Sequence, residues 1–105
     1  MYKRQQIDIL NIQQIETYTK TNVSLVRITT DSGASGWGQI SPYNSDISAA
    51  VLHRQIAPHA LGKQAFDISY LVDHVMEATY KFPGSYVCRA LTGLETALWD
   101  LRGKI

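Results

Sequence analysis

A chain of 105 residues, 45% of them hydrophobic, is long enough to bury one core and too short for a catalytic β/α barrel, which takes about 250 residues. Ten Lys and Arg against nine Asp and Glu leave a net charge of +1, so no broad field draws nucleic acid or an anionic membrane surface. The single cysteine, Cys88, excludes an intramolecular disulfide, no apolar run approaches the roughly 20 residues of a bilayer span, and the polar start Met1-Tyr-Lys-Arg-Gln-Gln6 lacks a secretory core, so a cytoplasmic protein is the expectation.

The first third predicts strands. Ile7, Ile9, Ile12 and Ile15 have extended spacing, and Val23 to Ile28 is rich in the branched residues that a pleated sheet favours. Asp31-Ser-Gly-Ala34 reads as a tight turn because Gly33 tolerates a positive φ. Ala34 to Gln39 then returns as a third antiparallel strand, in which Gly36 and Gly38 predict a bulge or the close approach of another backbone. Between the first two strands, the polar run Glu16-Thr-Tyr-Thr-Lys-Thr-Asn22 is longer than a hairpin needs and reads as a binding loop.

From residue 45 the period becomes helical. Ser45 or Asp46 is expected to cap a helix that runs to about Gln55 and is limited by Pro58. A second helix begins near Asp67 and sets Ile68, Leu71, Val72, Val75, Met76 and Tyr80 on one face, until Phe82-Pro83-Gly84-Ser85 breaks it. The third starts near Tyr86, carries an apolar stripe through Val87, Ala90, Leu91, Leu94, Ala97, Leu98 and Leu101, and is expected to end on a left-handed cap at Gly103. Three strands followed by about three helices predict an α+β domain, an antiparallel sheet with helices packed on one face.

Most chemistry-bearing patterns have a structural explanation. Gly33-Ala-Ser-Gly36-Trp-Gly38 lacks the Gly-Lys-Ser/Thr ending of a phosphate loop and opens no helix. His53, His59 and His74 lack metal-ligand spacing, so no metal ligands are assigned. Asp73 and Glu77 read as a solvated face with Lys81 as surface partner to Glu77, and Glu95 and Asp100 point to different sides of their helix. Cys88 reads as a small buried hydrophobe, and no catalytic residue is assigned.

Three segments carry a family likeness. Arg89-Ala-Leu-Thr-Gly-Leu-Glu-Thr-Ala-Leu-Trp-Asp-Leu-Arg-Gly-Lys104 resembles the end of the N-terminal capping domain of the mandelate racemase and muconate lactonizing group of the enolase superfamily. Val26-Arg-Ile-Thr-Thr-Asp-Ser-Gly-Ala-Ser-Gly-Trp-Gly-Gln39 resembles that domain's strand, turn and strand, and Ile56-Ala-Pro-His-Ala-Leu-Gly62 resembles its connector. The likenesses occur in the family's order. One departure is Gln39, where the family usually has an acid.

The resemblance implies that residues 1–105 form a capping domain whose partner is a C-terminal barrel absent from this chain. The complete enzyme would remove a proton next to a carboxylate, with Mg²⁺ held by three barrel acids stabilising the enediolate. It also implies that the loops at 16–22 and 40–44 help choose a carboxylic-acid substrate, which makes Tyr18, Lys20 and Tyr43 the candidate substrate-binding residues. A racemase, a cycloisomerase or an acid-sugar dehydratase fits, the polar loops favouring the first or the last, and a homo-oligomer is expected. The alternative is a free-standing, non-catalytic α+β binding or oligomerisation module, favoured by the length and the end at Ile105.

Overall fold

The computed structural model describes residues 10–81 and 84–104. Ile7 and Ile9, expected in the first strand, and Phe82 and Pro83 of the helix break lie outside the described residues.

Strands β1 (Ile12–Lys20), β2 (Val23–Thr30) and β3 (Ser35–Ile40) form an antiparallel sheet in the order β1-β2-β3. Period-two alternation sends Ile12, Ile15, Val26, Ile28 and Ile40 into the core, while Tyr18, Leu25 and Trp37 stay on an uncovered face. The β2–β3 turn is the expected one. Gly33 has φ +90°, its N–H donates to the Thr30 carbonyl at 3.0 Å, and Thr30 N–H donates to the Ala34 carbonyl at 2.8 Å.

Helix α1 (Ser45–Val51) widens into a π-helical turn (Leu52–Ile56) and resumes as α2 (Ala57–Ala60). Pro58, expected to limit this helix, instead sits in the first turn of α2. There its missing N–H and its ring are tolerated, and the widened turn before it absorbs the break in the hydrogen-bond ladder. The cap also differs from expectation: Asn44, in the left-handed region at φ 50°, is the N-cap, and Ser45 is buried inside the first turn. The connector then turns at Gly62, φ +81°, and pairs along the start of β1 through Gly62 N–H to Ile12 O, Ile12 N–H to Lys63 O and Ala65 N–H to Leu10 O, each 2.8 Å. That segment covers one sheet edge.

Helix α3 (Ile68–Ala78) is capped by Asp67, whose Oδ1 accepts from Tyr70 N–H at 3.2 Å. Ile68, Leu71 and Val75 are buried as expected, whereas Met76 and Tyr80 are 54% and 69% exposed. Because the helix ends at Ala78, Lys81 does not stand one turn beyond Glu77, and its ammonium lies 5.9 Å from the Tyr80 ring instead.

Helix α4 (Ser85–Lys104) buries Ala90, Leu91, Leu94, Ala97, Leu98 and Leu101 along the sheet. It lies against β3 with almost no separation. A Cβ on Gly36 would sit 2.7 Å from the Leu101 backbone N, one on Gly38 would sit 2.7 Å from the Ala97 N, and one on Gly93 would sit 2.7 Å from Ile40 Cγ1. The glycines of β3 therefore serve a close approach of backbone, one of the two expected reasons. Gly103 departs from expectation. It is helical and lacks a positive φ, so the left-handed cap does not form there.

Candidate functional site

Antiparallel order puts two connections at one end of the sheet. Lys20 pairs with Val23 across the turn Thr21–Asn22, and Ser24 pairs with both Thr19 and Ile40, so the loop 41–44 leaves β3 beside that turn. Helix α4 runs antiparallel to β3, since Gly93 meets Ile40 while Leu101 meets Gly36, and its first turns extend past the same end.

The structure divides the expected binding residues. Residues 16–20 belong to β1, and only Thr21 and Asn22 turn, so the long loop read from this segment is mostly strand. Thr17, Tyr18 and Thr19 are strong strand formers, and their polarity reflects a strand end with one open face. Tyr18 consequently sits on that face, its ring 5.5 Å from Trp37 and its hydroxyl donating to Glu16 Oε2 at 3.3 Å. Arg27 completes the cluster, 5.6 Å from the Trp37 ring centroid and 3.9 Å from Glu16. Lys20 ends β1 in solvent, and Tyr43, 65% exposed, stands in the neighbouring loop. Lys20 and Tyr43 thus share the sheet end, and Tyr18 lies two residues back from Lys20.

Two residues at this end had escaped sequence reasoning. The Arg89 guanidinium lies 5.4 Å from the Tyr43 ring centroid and 5.8 Å from that of Tyr86, and its Nη1 donates to the Tyr43 carbonyl at 3.5 Å. Asn44 Nδ2 donates to the Tyr86 hydroxyl at 2.9 Å. A pocket of about 180 Å³ lined by Ser41, Cys88, Arg89 and Thr92 opens alongside. The signal available was Tyr86 and Arg89 three residues apart, one turn of a helix, and nothing in the sequence says which loop they face.

Asp100, which points away from Glu95, joins α4 to β3. It accepts the Trp37 N–H at 2.8 Å and pairs with Lys104 at 2.8 Å, and these two contacts, Lys104 foremost, hold its carboxyl below the usual range. It thereby occupies a donor on the outer edge of β3. Cys88 is exposed rather than buried, at the rim of an apolar groove of about 400 Å³ between α3 and α4 that Met76, Tyr80, Val87 and Leu91 also line. His59 and His74, unrelated by spacing, approach edge to face at 6.4 Å.

The donor set does not suit Mg²⁺, which needs oxygen ligands gathered into one octahedral shell. Among the described residues no three His, Cys, Asp or Glu converge, while Glu16 and Asp100 already face cations. No helix of the described residues is long and apolar enough to cross a membrane.

Comparison with known proteins agrees with this architecture. Residues 8–105 match the family "Mandelate racemase / muconate lactonizing enzyme, N-terminal domain". The chain belongs to this family. A candidate racemase from Roseobacter denitrificans superposes with a TM-score of 0.86 at 53% identity, over 90% of this chain and 26% of that one. A mandelate racemase/muconate lactonizing protein from Paracoccus denitrificans PD1222, crystallised with magnesium, superposes at 0.82 with 34% identity, over 90% and 27%. A D-galactonate dehydratase family member from Paenibacillus sp. (strain JDR-2) is 31% identical over 91% of this chain and 24% of its own. The chain therefore spans about a quarter of the length of the curated relatives it matches. The enolase-type N-terminal fold expected from the three segments, a three-stranded antiparallel sheet with helices, is the observed one.

Proposed function

We propose that this domain caps the active site of a larger enzyme that removes a proton next to the carboxylate of a hydroxy acid, and that the chain alone is inactive. The observation that carries the reading is the meeting of turn 21–22, loop 41–44 and the first turns of α4 at one end of the sheet, with Lys20 and Arg89 as cations and Tyr43 exposed. The Lys20 cation and the Tyr43 phenol suit a polar acid, while Arg89 holds Tyr43. Support for a catalytic partner domain comes from the relatives, which are about four times as long. Their names include a dehydratase and a candidate racemase, and in this proposal both reactions would start with removal of the proton next to the carboxylate.

In this proposal Lys20 and Tyr43 contact the substrate's polar groups, and Tyr18, on the open face, acts at most through its neighbours. The magnesium seen with the Paracoccus protein is expected in the partner domain, since the carboxylates here do not gather to hold it. When bound, such an ion offsets charge developing on the carboxylate. A cytoplasmic location and a homo-oligomer complete the proposal.

The test joins the chain to the reading frame that follows it and measures turnover of D-galactonate and mandelate, with and without EDTA. Lys20→Ala and Tyr43→Ala should change KM or the preference between acids while the melting temperature stays constant. Unchanged kinetics for every acid in both variants would remove the capping role.

A further inference from the structure

Loop 41–44 is held in a way its own sequence does not explain. Asn44 occupies the N-cap of α1, where an asparagine side chain ordinarily accepts an N–H of the first turn, yet it makes no such bond. It stays at φ 50°, in the left-handed region that asparagine tolerates, and donates its amide to the Tyr86 hydroxyl instead. One residue earlier, Tyr43 exposes 65% of its surface, but its ring lies near the Arg89 guanidinium and its carbonyl accepts from that same group. Among the described residues no carboxylate pairs with Arg89, so its contacts are the two tyrosine rings and the Tyr43 carbonyl. Stacking a guanidinium on aromatic faces leaves its in-plane N–H groups available for a bond such as the one to Tyr43. Four groups on two elements thus form a latch between the loop and α4, and α4 is itself fixed to the sheet by the backbone seam at Gly36, Gly38 and Gly93.

We infer that Tyr86 and Arg89 are positioning residues that set where loop 41–44 stands over the substrate. The inference rests on the capping role proposed above and adds the device that holds the cap. Neither residue need touch the acid; each acts through Tyr43 and Asn44. Loss of the latch should let the loop sample other positions and weaken substrate capture, while chemistry in the partner domain continues once substrate is bound.

Two arms test it. In the 105-residue chain, Tyr86→Phe removes only the hydroxyl, and Arg89→Met removes the charge at similar length. In both variants, exchange of the Ser45 and Ile47 amides, which donate to Pro42 and Asn44, should quicken about fivefold, the worth of one net hydrogen bond or cation–π contact. Exchange at Val26 and Leu98 should not change, and Arg89→Lys, which keeps the charge but not the planar stack, should retain part of the protection. Unchanged loop exchange, or a uniform rise at core amides, overturns the latch whatever the kinetics. In the chain joined to its partner domain, Arg89→Met should raise KM about three- to tenfold with kcat within about twofold, and Arg89→Lys should raise it less. If the loop loosens but Arg89→Met and Tyr43→Ala are both kinetically silent, the latch is real and the capping role fails, which overturns the positioning inference at its premise.

Discussion

Asp100 ties three residues of two elements together, and its state of charge decides how firmly. Its carboxyl is held below the usual value near 3.8 by Lys104 and by the Trp37 N–H, so the folded state releases this proton more readily than the unfolded one. The resulting stabilisation is fully present above the unfolded value and is lost as pH falls through the lower folded value. Unfolding followed from pH 6 to pH 2 should show wild type more stable than Asp100→Asn at the upper end, the gap closing below about pH 4. A gap independent of pH would mean that the carboxylate's charge has no part in it. Glycines supply a second test at this scale. Gly38→Ala places a methyl against the backbone of α4 and should cost at least the roughly 1–3 kcal/mol of an overpacked core. Gly103→Ala should do the opposite, because the residue is helical with open space around it, and gain up to about 1 kcal/mol. Destabilisation by Gly103→Ala in a denaturant titration would restore the left-handed cap that the sequence suggested.

Among the elements, what was legible followed strong periodicity. The α4 stripe from Ala90 to Leu101 has a single face to bury, β2 is rich in branched residues, and both elements formed as expected. Leu98→Ala should cost about 2–5 kcal/mol in a urea titration, since its side chain is fully buried in the core. A loss below about 1 kcal/mol would show that the seam is looser than its geometry. Failures came where local chemistry had two outcomes. Glu16 to Lys20 is polar enough for a loop, yet strand pairing with Arg27 to Val23 outweighs composition. Pro58 usually ends a helix, but a π-helical turn shifts the hydrogen-bond pattern and lets α2 follow. Met76 and Tyr80 share the apolar phase expected of α3, yet the helix ends at Ala78 and both residues line an open groove beside α4. Of the proposed site, Lys20 and Tyr43 are legible as polar residues in or beside loops. Tyr86 and Arg89 were not, because their role depends on α4 overshooting the end of β3, a distance between elements that no local pattern encodes.

On the scale of the whole molecule, the described residues cover the sheet on one side only. Tyr18, Val23, Leu25 and Trp37 keep 47%, 46%, 37% and 40% of their surface on the open sheet face, and Met76 and Tyr80 line the groove on the helical side. Apolar surface of this kind marks contact with another body. The chain on its own is therefore expected to self-associate, with sedimentation at tens of micromolar giving a mass above 11.8 kDa that falls on dilution. Trp37→Lys should weaken the association if the sheet face mediates it, and Tyr80→Lys if the groove does. A strictly monomeric chain across that range would show that the aromatic cluster with Arg27 and Glu16 is already well solvated. The same preparation should give no turnover of D-galactonate or mandelate, and Mg²⁺ should bind no better than at an ordinary acidic surface, because among the described residues no three potential ligands converge. EDTA-sensitive turnover by the 105-residue chain would overturn the division of labour, since it would require the reacting groups to lie within this domain.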